Sequence, residues 1–195
     1  MRSNLTPHAL ALSAALLACG AHAAPAIDSM TAGFGLAEYT GSAAVGAGLV
    51  GVNSTLFYVD EQTQGGVKSW FIFFDPAGTQ SIEATLDFGQ PILGVVTTRA
   101  GLTATQAAFS IDIDGDGLFN DYNLAPAAVG LEASDTVSYV VGGSTLTLDW
   151  RASNPGDHVR VLLSTVPEPG SFGLAALGLA GLAGLRRPRR ALPQG

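Results

Sequence analysis

Apolar and polar positions alternate over several short stretches of the chain. Ile82, Ala84, Leu86 and Phe88 alternate with Glu83, Thr85 and Asp87, and Leu146, Leu148 and Trp150 with Thr145, Thr147 and Asp149. Val159, Val161 and Leu163 alternate in the same way with His158 and Arg160. A period of two sends successive side chains to opposite faces, so each stretch predicts a strand with one buried and one wet face, as in antiparallel sheets. On that reading His158 and Arg160 lie in solvent. Trp70 to Phe74 is apolar on both faces and predicts a central strand. Gly142-Gly143, between Thr136 to Val141 and Ser144 to Trp150, predicts a two-residue hairpin turn. Leu102 to Phe109 suggests a short helix, whereas residues 41 to 52, GSAAVGAGLVGV, read either as a flexible loop or as a small-residue strand. Many short strands joined at Gly, Pro and Asp, with no internal repeat of fixed period, predict an all-β, antiparallel β-sandwich. Jelly-roll-like and Ig-like topologies both remain open.

The alternation stops at both ends. Arg2, the apolar run Ala9 to Ala18 and the A-x-A site Ala21-His22-Ala23 have the order of a secretory signal peptide over residues 1–23, with Ala24 as the mature start. Leu16-Leu17-Ala18-Cys19 has the form of a lipoprotein box, but leucine before the small residue fits that box poorly. The A-x-A site is the better one, and Cys19 leaves with the signal.

Near the C-terminus, Gly170 to Leu185 is a run of sixteen residues without charge. As a helix it measures about 24 Å against a hydrocarbon core of about 30 Å. Arg186, Arg187, Arg189 and Arg190 follow it; snorkelling arginines extend its reach and favour the cytoplasmic side. Val166-Pro167-Glu168-Pro169 precedes it. Two prolines keep that segment extended and deny it helical hydrogen bonds.

In this order the three parts resemble the PEP-CTERM sorting signal of Gram-negative bacteria: the motif at 166–169, a transmembrane helix at 170–185 and the arginine cluster at 186–190. The resemblance implies export through the secretion translocon, signal peptidase cleavage, transient anchoring in the inner membrane and cleavage near Pro167-Glu168-Pro169 by an exosortase. It also implies a final place at the cell surface or in an exopolysaccharide matrix. Because that family is defined by its tail, it assigns no activity to residues 24–165.

Those 142 residues suffice for one domain with its own core. They contain no cysteine, which excludes thiol catalysis and a disulfide framework. They hold fifteen Asp and Glu against Lys68, Arg99, Arg151 and Arg160, a net charge of −11. Such a surface repels nucleic acid and anionic lipid, so nucleic-acid binding is not expected.

The sharpest internal motif is DIDGDGLFNDYN, residues 112–123. Carboxylates at every second position followed by glycine can wrap oxygens around one hard cation. In this register Asp112, Asp114 and Asp116 are the first ligands, the Leu118 carbonyl the next and Asn120 a direct or water-mediated one. The segment resembles the calcium loops of EF-hand-like and dockerin-like modules, but Asn123 stands where those carry a bidentate acid. Asp121 offers an alternative acid if the loop takes a different geometry. The alternative is an acidic turn between strands.

Catalytic constellations are scarce. His158 is the one histidine of the mature segment and no G-x-S-x-G occurs. Asp60-Glu61 reads as surface acid. Tyr58, Trp70, Tyr122 and Trp150 offer aromatic surface for sugars, but the alternation assigns Trp150 to the core and Trp70 lies in an apolar run, leaving Tyr122 as first candidate. The function expected is non-enzymatic, structural or adhesive, in the envelope or matrix. A carbohydrate-binding module, calcium-assisted or not, is the alternative, and a carboxylate hydrolase the third.

Overall fold

The computed structural model describes residues 23–165. Along the chain come β1 (Ala26–Met30), β2 (Gly35–Glu38), β3 (Thr55–Gln64), β4 (Val67–Phe74), β5 (Gln80–Asp87), β6 (Ile92–Val96), α1 (Arg99–Phe109), β7 (Thr136–Tyr139), β8 (Thr145–Ala152) and β9 (Asp157–Ser164). They form a four-stranded sheet, β1-β5-β8-β7, and a five-stranded sheet, β2-β3-β4-β9-β6. This is a β-sandwich as the alternation predicts, with one departure: β2 runs parallel to β3. A parallel neighbour needs a crossover, and the small-residue segment 39–54 supplies it. That segment is a loop, tied down where Val45 forms a bridge to Tyr122.

The alternating residues meet between the sheets. Trp70, Ile72 and Phe74 of β4 and Val159, Val161 and Leu163 of β9 pack against Ile82 and Leu86 of β5 and Leu146, Leu148 and Trp150 of β8. The opposite face of the four-stranded sheet is polar, and Ser29, Thr85, Thr147 and Ser138 form one rung of hydroxyls across all four strands.

The five-stranded sheet has a second covered face. Val59, Phe71 and Phe73 pack there with Tyr39, Val45, Leu102, Tyr122, Leu124 and Val129 from the flanking segments and α1. This explains why β4 is apolar on both sides, and it corrects the reading of β9. His158 and Arg160 are both fully buried, opposite Phe73 and Phe71 in the β4–β9 ladder. Their alternation with valines is real, but the face taken as wet lies under α1 and the 110–131 segment.

Helix α1 starts three residues before the run the sequence suggests. Thr98 supplies the cap, its Oγ1 accepting from Gly101 N at 3.2 Å. Leu102 and Phe109, two turns apart, form its buried side. Gly130 closes the covering segment against the helix start: its φ is +106°, and a Cβ there would stand 2.8 Å from Thr97 O. A side chain at this position would lift the segment off the sheet.

The β7–β8 hairpin is also present, with a wider turn than two residues. The ladder ends at Tyr139–Leu146. Gly142 and Gly143 bond instead to the other sheet, Gly142 N donating to Ile92 O at 2.9 Å and Ile92 N to Gly143 O at 2.7 Å.

Candidate functional site

Beneath α1 the chain buries an ion pair. Arg160 of β9 donates from Nη2 to Glu61 Oε1 and from Nε to Glu61 Oε2, both at 2.7 Å, with both side chains fully buried. Glu61 was expected on the surface with Asp60. Only Asp60 is exposed: Glu61 alternates with it along β3 and falls on the same covered face as Val59, beneath α1. Ser69 Oγ donates to Glu61 Oε2. Arg160 Nη1 donates to Leu102 O at 3.0 Å and to Thr105 Oγ1, binding the sheet to α1. Its guanidinium lies over the Phe71 ring at 5.2 Å. The Tyr122 hydroxyl faces the same carboxylate; burial raises its pKa first, the charge of Glu61 next. Tyr122 is 9% exposed and packs edge-on against Phe71, so it presents no face to a sugar.

Both tryptophans belong to the core, as the pattern predicts. His158 is buried, not solvated. It stacks on Phe73 at 6.1 Å, and burial pushes its pKa down to about 3, so the ring is neutral. Its neighbour Asp157 is the opposite case. Burial raises this carboxyl to about 7, with Asp135 and Glu132 adding repulsion.

The acidic loop follows α1 on the same side of the sheet. Its backbone amides turn onto its own carboxylates: Gly115 N and Gly117 N donate to Asp112 at 2.8 and 2.7 Å, Asp116 N to Asp114 at 3.1 Å, and Leu118 N to Asp116 at 2.7 Å. One carboxylate oxygen from each of Asp112, Asp114 and Asp121 lies within 4.8 Å of the others. Asp121, rather than Asp116, completes that group, fixed by Ile113 N at 2.9 Å. Burial raises the Asp121 pKa, and Asp114, Asp112 and Asp116 raise it further. Asn123 Oδ1 accepts from Ala125 N at 3.3 Å, and Asn120 is exposed. Phe119, which the pattern analysis passed over, stands on this loop 69% exposed. Its position between loop glycines and asparagines is the signal that could have found it.

Beside α1 lies a shallow cavity of about 340 Å³, lined by Thr103, Gln106, Tyr122, Asn123, Leu124 and Ala125. It gathers no ionisable pair for acid–base work.

The remaining expected sites fall at the ends. Ala23 is the first described residue; Ala21, Cys19, the motif Val166 to Pro169, the run 170–185 and the four arginines lie outside the described residues. Among the described residues no helix is long and apolar enough to cross a membrane. Residues 165–190 match the family model of the PEP-CTERM protein-sorting motif. No curated protein and no solved structure matches the chain. The motif marks an exosortase-targeted extracellular protein, exported and processed at a membrane.

Two outcomes follow from the buried charges. Arg160→Met leaves Glu61 buried without its partner and is expected to cost about 3–5 kcal/mol in urea unfolding, whereas Glu61→Leu combined with Arg160→Met costs far less than the single change. Equal losses in single and double variants would contradict this.

Asp157 binds a proton more tightly in the folded chain than in the unfolded one, so its contribution is full below the ordinary carboxylate pKa and is lost as pH rises towards 7. His158, with its lowered pKa, acts in the opposite direction below its ordinary value. Asp157→Asn therefore gains stability over the native chain at pH 8, by up to about 4 kcal/mol, and none at pH 4. A gain independent of pH would refute the assignment.

Proposed function

We propose that the protein is an exported, non-enzymatic β-sandwich, processed by an exosortase and serving as a structural or adhesive component of the envelope or exopolysaccharide matrix. The sorting-motif match at 165–190 carries this reading. The domain agrees with a non-catalytic role. Glu61 is committed to Arg160, and His158 is neutral between phenylalanine rings. The hydroxyl rung Ser29–Thr85–Thr147–Ser138 offers a row of groups able to exchange hydrogen bonds with polysaccharide. Fractionation of the native host tests it. The wild-type protein should be recovered from washed extracellular matrix, and the Pro167→Ala, Glu168→Ala variant should stay in the inner membrane. The same distribution for both would overturn the reading.

A second reading, calcium-assisted carbohydrate binding, is favoured by the exposed Phe119 on the loop that gathers Asp112, Asp114 and Asp121. Those oxygens suit a hard cation that tolerates irregular geometry, with Asn120 and backbone carbonyls as further donors. Calcium then raises Tm by several degrees. Asp112→Asn with Asp121→Asn removes that rise, and Phe119→Ala removes glycan-array binding while the rise persists. An unchanged Tm in calcium and chelator would exclude the site.

A further inference from the structure

The end of the sandwich from which the C-terminal segment leaves differs from the rest of the surface. Ser164 N donates to Pro91 O at 2.9 Å and Thr165 N to Gly66 O at 3.0 Å, so the last described residue lies beside the β3–β4 turn and the start of β6. The Gly142 and Gly143 bonds to Ile92 seat the β7–β8 turn against the same place. Residues 62–67, 88–93 and 138–146, which build this end, contain no charged side chain, although residues 24–165 carry a net −11. Charges that flank these turns are held by partners: the Asp87 carboxylate accepts from Gly89 N, Lys68 pairs with Asp60 and Glu61 with Arg160. Leu93, Val140 and Val141 project here 46%, 74% and 69% exposed, with Tyr139 beside them at 37%.

Chain length says what this end faces. Residues 166–169 separate Thr165 from the apolar run that begins at Gly170. Fully extended, the steps from 165 to 170 span at most about 18 Å. With residues 170–185 in a bilayer, the exit end therefore lies within about 18 Å of the hydrocarbon and within reach of the headgroup layer, which is roughly 5–8 Å thick on each side.

We infer that in the anchored precursor Leu93, Val140 and Val141 dip into the outer-leaflet interface of the inner membrane, with Tyr139 at headgroup depth. The inference rests on the sorting reading above. It commits to the bilayer as occupant because the tether brings no other surface so close. An uncharged apolar tip gains by leaving water there, while the acidic remainder of the domain is kept off the lipid. The domain then stands end-on, with the cleavage motif held at the membrane surface. Since the tip bears no charge, seating depends little on salt or on anionic lipid.

The test uses precursor extracted from membranes of the native host and reconstituted in phosphatidylcholine vesicles with brominated acyl chains. Val141→Trp and Leu49→Trp each add one emitter to a background of buried Trp70 and Trp150, which are 2% and 0% exposed. Leu49 is 72% exposed at the opposite end, where Val50 N donates to Asp75 Oδ2 at 3.0 Å just beyond β4. The expected result is roughly twofold or greater quenching of the added emission in the Val141→Trp protein and almost none in the Leu49→Trp protein. Precursor that floats with the vesicles yet shows no selective quenching overturns this inference alone. Absence of precursor from the membranes overturns the sorting reading and this inference with it.

Discussion

The fold depends on covering both faces of one strand pair. β4 and β9 run antiparallel over eight residue pairs, and each contributes side chains to two packed layers. Toward the other sheet the contacts are apolar. Toward α1 they include Arg160, which is tolerable only because Glu61, Leu102 O and Thr105 use its donors. Such a pair adds little net stability over an apolar equivalent, but through Leu102 O and Thr105 it ties α1 to the sheet. The acidic loop and Tyr122 follow from that placement, since the chain reaches them directly from the end of α1.

This arrangement separates what the sequence makes legible from what it hides. The β5 and β8 strands were readable because their outer face is wet, so period-two alternation equals burial. The Trp70 to Phe74 run was readable because apolar residues on both faces have one meaning. β9 misled because its second face is covered yet carries His158 and Arg160, and polarity alone does not distinguish solvent from a paired interior. Glu61 was hidden for the same reason: it shares a face of β3 with Val59, and nothing local says that this face is covered by α1. The parallel β2–β3 pair was hidden by a glycine- and alanine-rich crossover that carries no periodicity of its own. In the acidic loop the spacing of carboxylates was visible, but the grouping of Asp112 and Asp114 with Asp121 depends on how the turn folds back.

The functional information lies mostly in the address, and the domain is shaped to travel with it. β1 begins at Ala26 opposite Asp87, and β9 ends at Ser164 beside Pro91. Both termini of the domain therefore emerge at one end, the end whose turns carry no charge. In the proposed account, this one end meets the membrane both when a leader is removed and when the sorting tail is cut.

Intact mass spectrometry of the protein recovered from culture medium and extracellular matrix tests the central claim most directly. The account predicts a species that begins at Ala24 and ends near Glu168, without the apolar run and the arginines. A protein found outside the cell with Gly195 still at its C-terminus would contradict it.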